Sequence, residues 1–310
     1  MSKYRNKLPQ LEGGTFLSDG GMETTLIFRE GIDLPHFASF VLLTSEEGRR
    51  RLRAYYIPYL SIARKQGAGF ILDTPTWRAN PDWGQRLGYG EDSLAEVNRF
   101  AVALAEELRN EFETPSTPCV ISVAIGPRGD GYKAGRMNAL ESEAYHGAQI
   151  ASAAESEADM VAAYTLTNVD EAIGIARAAK TVAMPCAISF TLETDGRLVT
   201  GRTLRDAIET VDDATGGSVA YFMVNCAHPT HFEGIFDKGN WCERILGVRA
   251  NASMKSHAEL DESATLDEGD PADLGQWYQA LKRSLPSMRI IGGCCGTDHR
   301  HIAAICDACL

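Results

Sequence analysis

The sequence predicts a single (β/α)8 TIM barrel, and three observations carry the prediction. Eight short, nearly all-apolar runs recur along the 310 residues, as expected of strands buried on both faces of a parallel sheet. Stretches with helical periodicity separate them. Polar and reactive residues directly follow the runs, which is where a barrel gathers its loops at one mouth.

The runs are Thr15–Leu17, Gly69–Leu72, Val120–Ile125, Met160–Ala163, Ala187–Phe190, Tyr221–Val224, Ile245–Val248 and Arg289–Ile291. Helical patterns occupy Glu46–Arg64, Ser93–Phe112, Ala139–Ser156, Val169–Lys180, Leu204–Asp213, Asp270–Ser284 and Asp298–Ala308. In the first, Leu52, Tyr55, Tyr56, Tyr59, Leu60 and Ala63 form one apolar stripe. Eight alternations favour a closed barrel over an open doubly wound sheet. No linker or composition shift divides the chain, which predicts one domain over residues 1–310. The acidic, weakly apolar stretch Lys255–Asp273 predicts a solvated loop.

With 30 Lys+Arg against 42 Asp+Glu, the net charge is −12. That balance excludes the basic surface needed to bind nucleic acid or an anionic membrane. No run approaches the ~18 apolar residues of a membrane span, and MSKYRNKLPQLEGG lacks the apolar core of a signal peptide. A cytoplasmic address and eight reduced cysteines are the expectation. Cys306 and Cys309 form a C-x-x-C, but on an amphipathic terminal helix, which reads as packing. A homo-oligomer is compatible with the sequence.

The segments after the strands supply the candidate site. Position alone nominates Gly20, Gly21, Thr74, Asn225 and Asn251 for substrate contact. The strongest signal is Cys226 with Cys294 and Cys295, 68 residues further on. That spacing is too long for a zinc knuckle, yet strands six and eight of a barrel flank strand seven, so their ends converge. The glycines of GGCCG permit a bend through positive φ, letting both adjacent thiols face one ion. Three soft thiolates select zinc, and three ligands leave the fourth position open, as catalytic sites require.

These motifs resemble a known family. DGGMETTL, VNCAHP and IIGGCCGTDHRHI are similar to those of the zinc-dependent homocysteine S-methyltransferases, in order, from about Phe16 to Ile302. The resemblance implies a (β/α)8 barrel with Cys226, Cys294 and Cys295 as zinc ligands. It places Asp19 near the substrate amino group, and Glu193 and Asp195 in the fifth-strand loop. One departure concerns the acceptor. The family carries a glutamate after strand four that pairs with the homocysteine ammonium, and Tyr164 stands there. Losing a charge-assisted bond costs ~1.5–3 kcal/mol. Either Asp19 and Glu193 suffice, or the acceptor is another small thiol or a selenol. A second departure is Asp298 where many members have proline; Thr297 is expected to cap the final helix.

The chemistry expected is methyl transfer from a small onium donor to the homocysteine thiol, forming methionine. No catalytic group is needed beyond the zinc-bound substrate thiolate. For the donor, Trp77, with Trp83 and Tyr89, supplies aromatic faces suited to a methylated cation, though Trp83 and Tyr89 read rather as anchors of a long loop; Arg78 and Arg86 suit an anionic tail. His228 and His231 read as helix-start residues, and His299 and His301 likewise. No unit resembles a dinucleotide fingerprint or a cobalamin domain. A zinc hydrolase and a non-catalytic zinc- or thiol-binding barrel are the competing classes.

Overall fold

The computed structural model describes residues 2–237, 239–263 and 265–310. Eight parallel strands close into a barrel in chain order, with β1 beside β8. They are β1 Phe16–Leu17, β2 Gly69–Asp73, β3 Cys119–Ile125, β4 Met160–Leu166, β5 Cys186–Phe190, β6 Tyr221–Asn225, β7 Ile245–Ala250 and β8 Ile290–Gly293. Every strand residue is buried, which is why the strands read as apolar runs.

Strands β2, β4, β6, β7 and β8 run further toward the mouth than their apolar runs. Asp73, Tyr164, Thr165, Asn225 and Arg249 therefore sit on strands, not in loops. Near the mouth these polar side chains satisfy one another, so hydrophobicity ends before the ladder does.

Helices Glu46–Gln66, Glu91–Phe112, Ala139–Ala154, Val169–Thr181, Leu204–Thr215, Pro271–Ser284 and His299–Cys309 surround the strands. The helix expected at HPTHF is instead a short 3-10 turn, Pro229–His231, in which the Thr230 amide donates to His228 Nδ1. One core layer joins strands to helices. A second fills the barrel, with Phe16, Ile71, Val120, Met160, Tyr221 and Ile290 among its members. The N-terminal segment closes the end opposite the mouth. Leu8 joins the inner core, and Arg5 donates to the carbonyls of Ala154, Ser156 and Ala158.

Two expectations are corrected. The acidic stretch is not merely a solvated loop: Ser256 caps a short helix, His257–Asp261, and Leu260 and Leu266 face the mouth cavity. Asp298, not Thr297, caps the last helix, accepting from the Arg300 amide at 2.9 Å. The Thr297 hydroxyl donates instead to the Cys294 carbonyl at 2.7 Å.

Burial pushes the Asp298 carboxyl up, but His301, Arg300 and Arg29 outweigh burial and hold it well below the usual range. A depressed folded value means stability that is present at neutral pH and lost as pH falls below about 4. Asp298→Ala is expected to lower the unfolding free energy by ~1–2 kcal/mol at pH 7. Denaturation across pH should show that deficit shrinking below pH ~4; a constant deficit would mean the charge plays no part.

Candidate active site

Strand ends and the loops above them enclose a cavity of about 440 Å³ at the barrel mouth, suited to small molecules. Cys226, Cys294 and Cys295 line it, with their three Sγ atoms within 4.8 Å of one another. Cys226 directly follows β6 in the left-handed region, at φ 55°, held there as its amide donates to the Arg249 carbonyl at 3.1 Å. Such backbone persists where its surroundings over-determine it. Within GGCCG only Gly296 has positive φ, at 80°. Gly292 and Gly293 serve a different need, close approach: a Cβ there would run into the Ser18 and Thr297 side chains.

The expectation of eight reduced thiols meets a correction. Cys226 and Cys294 are joined as a disulfide, and Cys295 is free. Sulfurs gathered this closely come within bonding reach, and reduction returns two thiols. Zinc fits this donor set. Two ~2.3 Å zinc–sulfur bonds at a tetrahedral angle place sulfurs about 3.8 Å apart, and Cys226 and Cys295 Sγ are 3.8 Å apart. Burial pushes the Cys295 thiol up to about 11, so a bound cation would be needed to keep it ionised near neutrality.

Tyr132, from the loop after β3, covers the sulfurs. Its hydroxyl lies 3.6 Å from Cys226 Sγ and 3.7 Å from Cys295 Sγ. Its ring stacks on His257, centroids 4.2 Å apart, and His257 Nε2 bonds the Cys226 carbonyl at 2.6 Å.

Opposite lies a buried charge cluster. Arg249 donates from Nη2 to Asp19 Oδ1 and from Nη1 to Asp73 Oδ2, both at 2.5 Å, and from Nε to the Gly293 carbonyl at 3.1 Å. Tyr55 donates to Asp19 Oδ2 at 2.9 Å, and Tyr164 to Asp73 Oδ2 at 2.8 Å. Burial raises Asp73 to about 6, with Arg249 pulling it back. Burial likewise raises Asp19 against Arg249 and Tyr55.

The remaining candidates divide. Gly20, Gly21, Thr74, Tyr164, Asn225 and Trp77 line the cavity with Asp19. The Gly21 amide, though, already donates to the Thr297 carbonyl at 3.0 Å. Thr74 ties to Thr76 and Ala124. Asn225 braces the backbone by accepting from the Thr165 amide at 2.8 Å, and its Nδ2 reaches Cys294 Sγ at 4.0 Å. Glu193 and Asn251 are not in the lining: Glu193 bonds His257 Nδ1 at 3.1 Å, and Asn251 donates to the Cys226 carbonyl at 3.0 Å. Asp195 caps its own turn. No aromatic cage forms from Trp77, Trp83 and Tyr89. Arg78 stacks between Trp77 and Trp83, 4.1 and 4.0 Å from their rings, and Tyr89 packs on Phe40.

Residues 16–309 match the homocysteine S-methyltransferase family. The chain belongs to that family. Among solved structures it is similar to the homocysteine methyltransferase MmuM from Escherichia coli. The oxidised form has 20% identity and a TM-score of 0.75, covering 98% of this chain and 99% of that one. The metallated form has 19% identity and a TM-score of 0.74, with the same coverage. At this identity the likeness speaks for the fold. No curated protein sequence matches significantly.

As a family member the chain is an S-methyltransferase acting on homocysteine. Glu23, Tyr132 and Arg249 line the cavity and His257 backs Tyr132, though sequence reasoning did not single them out; Asp73, which follows the second apolar run, also lines it. Arg249 had a readable signal, a charge inside the apolar run ILGVRA, and Glu23 lies inside the DGGMETTL motif.

Proposed function

We propose that this homocysteine S-methyltransferase takes its methyl group from a small onium donor, in the cytoplasm, with zinc held by Cys226, Cys294 and Cys295. The observation that supports this most is the convergence of three Sγ atoms, within 4.8 Å, on a small-molecule cavity. Zinc bound by three thiolates supplies an open position that keeps a thiol ionised near neutral pH.

The chain's own residues do the rest. The Tyr132–His257 stack shields the sulfurs from water, which strengthens attraction between charges inside. Asn225 steadies Cys294, as hydrogen-bond partners of ligands commonly do. Cavity carboxylates such as Glu23 and Asp130 favour entry of a cationic donor. Trp77 offers that donor its remaining surface, since Arg78 covers one face. The acceptor sulfur, its proton gone to solvent, gives a lone pair to the methyl carbon. The carbon–onium bond breaks, and its electron pair returns to the donor heteroatom, which leaves neutral.

The test is to reduce the protein, load it with zinc and offer homocysteine with quaternary ammonium and methylsulfonium donors. Methionine, detected by mass spectrometry, is expected with at least one donor and should disappear on chelation. Methionine formed at an undiminished rate by metal-free protein would overturn the reading.

A further inference from the structure

We propose that Glu23 holds the ammonium group of the acceptor amino acid, in place of the carboxylate missing at position 164. The proposal rests on the homocysteine reading above and deepens it. An amino-acid acceptor brings a cation with three N–H donors into the cavity, and that cation needs an anionic oxygen with room to accept.

The carboxylates around the cavity differ in what they can offer. Both Asp19 oxygens already accept, from Arg249 and Tyr55. Asp73 Oδ2 takes Arg249 and Tyr164, and its Oδ1 is enclosed in the protein. Tyr164 therefore directs its hydroxyl proton at Asp73 and carries no charge for an ammonium. Asp267 is held by Ser253 at 2.8 Å and Lys255 at 3.3 Å. Asp130 accepts from the Tyr132 amide at 2.8 Å, with Lys133 at 3.7 Å. Asp261 also lines the cavity, but at its rim, where it is exposed to solvent.

Glu23 is unlike these. It lies just past the DGG motif and lines the same cavity as the cysteines. Its Oε1 accepts from the Ser39 hydroxyl at 2.8 Å. Among the described residues no cation pairs with it, and Oε2 has no bond of its own. Its neighbour Thr24 accepts from the Gly296 amide at 3.2 Å, next to Cys295, so Glu23 stands within the reach of a small molecule whose sulfur is at the cysteines. Ser39 fixes one oxygen and leaves the other as an acceptor. A quaternary onium has no N–H to give such an oxygen; an ammonium has three.

Calorimetric titration of reduced, zinc-loaded protein tests this without needing the methyl donor. The ligands are homocysteine and 4-mercaptobutanoate, which keeps the thiol and carboxylate but lacks the amine. The wild type should bind homocysteine ~10–100-fold more tightly, the range of one charge-assisted bond. Glu23→Gln should erase that gap while leaving 4-mercaptobutanoate affinity and zinc content unchanged. Adding Tyr164→Glu to Glu23→Gln should restore the gap, which a merely structural role for Glu23 could not produce. A gap that persists in Glu23→Gln overturns the proposal and leaves the homocysteine reading standing. So does equal weakening of both thiols at normal zinc content. Failure of homocysteine to bind the wild type, while 4-mercaptobutanoate binds, overturns the homocysteine reading and the proposal together.

Discussion

Cys226→Ala protein, reduced and incubated with zinc, is expected to lose tight metal binding and methyl transfer together. Two thiolates and water make a poor zinc site. The affinity loss should exceed the ~10–100-fold typical when only a ligand's hydrogen-bond partner is removed. Cys294→Ala and Cys295→Ala should behave alike, because the three sulfurs lie within 4.8 Å of one another. Wild type that has not been reduced should take up little zinc, since the Cys226–Cys294 bond withholds two of the three thiolates. Cys306→Ala is the control: its thiol is buried in the last helix and raised by that burial to about 12. Metal analysis by mass spectrometry decides the matter. Full zinc content in a Cys294→Ala, Cys295→Ala double variant would remove the assignment.

Arg249→Ala should be the most destabilising single change at the site. It strands two buried carboxylates that the guanidinium bridges at 2.5 Å. Removing one partner of a buried pair costs about 3–5 kcal/mol, because the charge left behind is uncompensated. The sign of the pH effect follows from Asp73. Its folded value is raised, to about 6 with Arg249 present. A raised acid destabilises the folded state as pH climbs from the unfolded value, about 4, through the folded one. Without Arg249 that value rises further, so the deficit should be larger at pH 8 than at pH 5. Urea denaturation at both pH values measures it. An equal deficit would show that lost packing, not stranded charge, is responsible.

The order of strands was legible because each is buried on both faces and therefore almost wholly apolar. Where strands end was not, since Asp73, Asn225 and Arg249 continue the ladder with polar side chains that only neighbouring strands satisfy. Adjacency to a strand end correctly drew attention to the mouth, but could not say which way a side chain points. Hence Asp19 and Tyr164 line the cavity while Glu193 turns to His257 and Asn251 to the Cys226 carbonyl. Tyr132 lies in a loop without periodicity, so nothing in its neighbours' spacing distinguishes it. The aromatic loop after β2 read as a cage for a foreign cation. Its own Arg78 lies between Trp77 and Trp83 instead, because a tethered guanidinium needs no loss of translational freedom to stack there.

By itself the sequence determined the alternation of buried strands with amphipathic helices, the family motifs and the three cysteines that converge. Each is a local pattern or a topological consequence of eight strands in order. Tertiary structure alone decided the electrostatics of the site: Arg249 between Asp19 and Asp73, Tyr164 turned to Asp73, and Glu23 with an oxygen to spare. Those pairings join residues up to 230 positions apart. Their charges depend on burial and on partners a few ångströms away, quantities that no linear pattern of residues encodes.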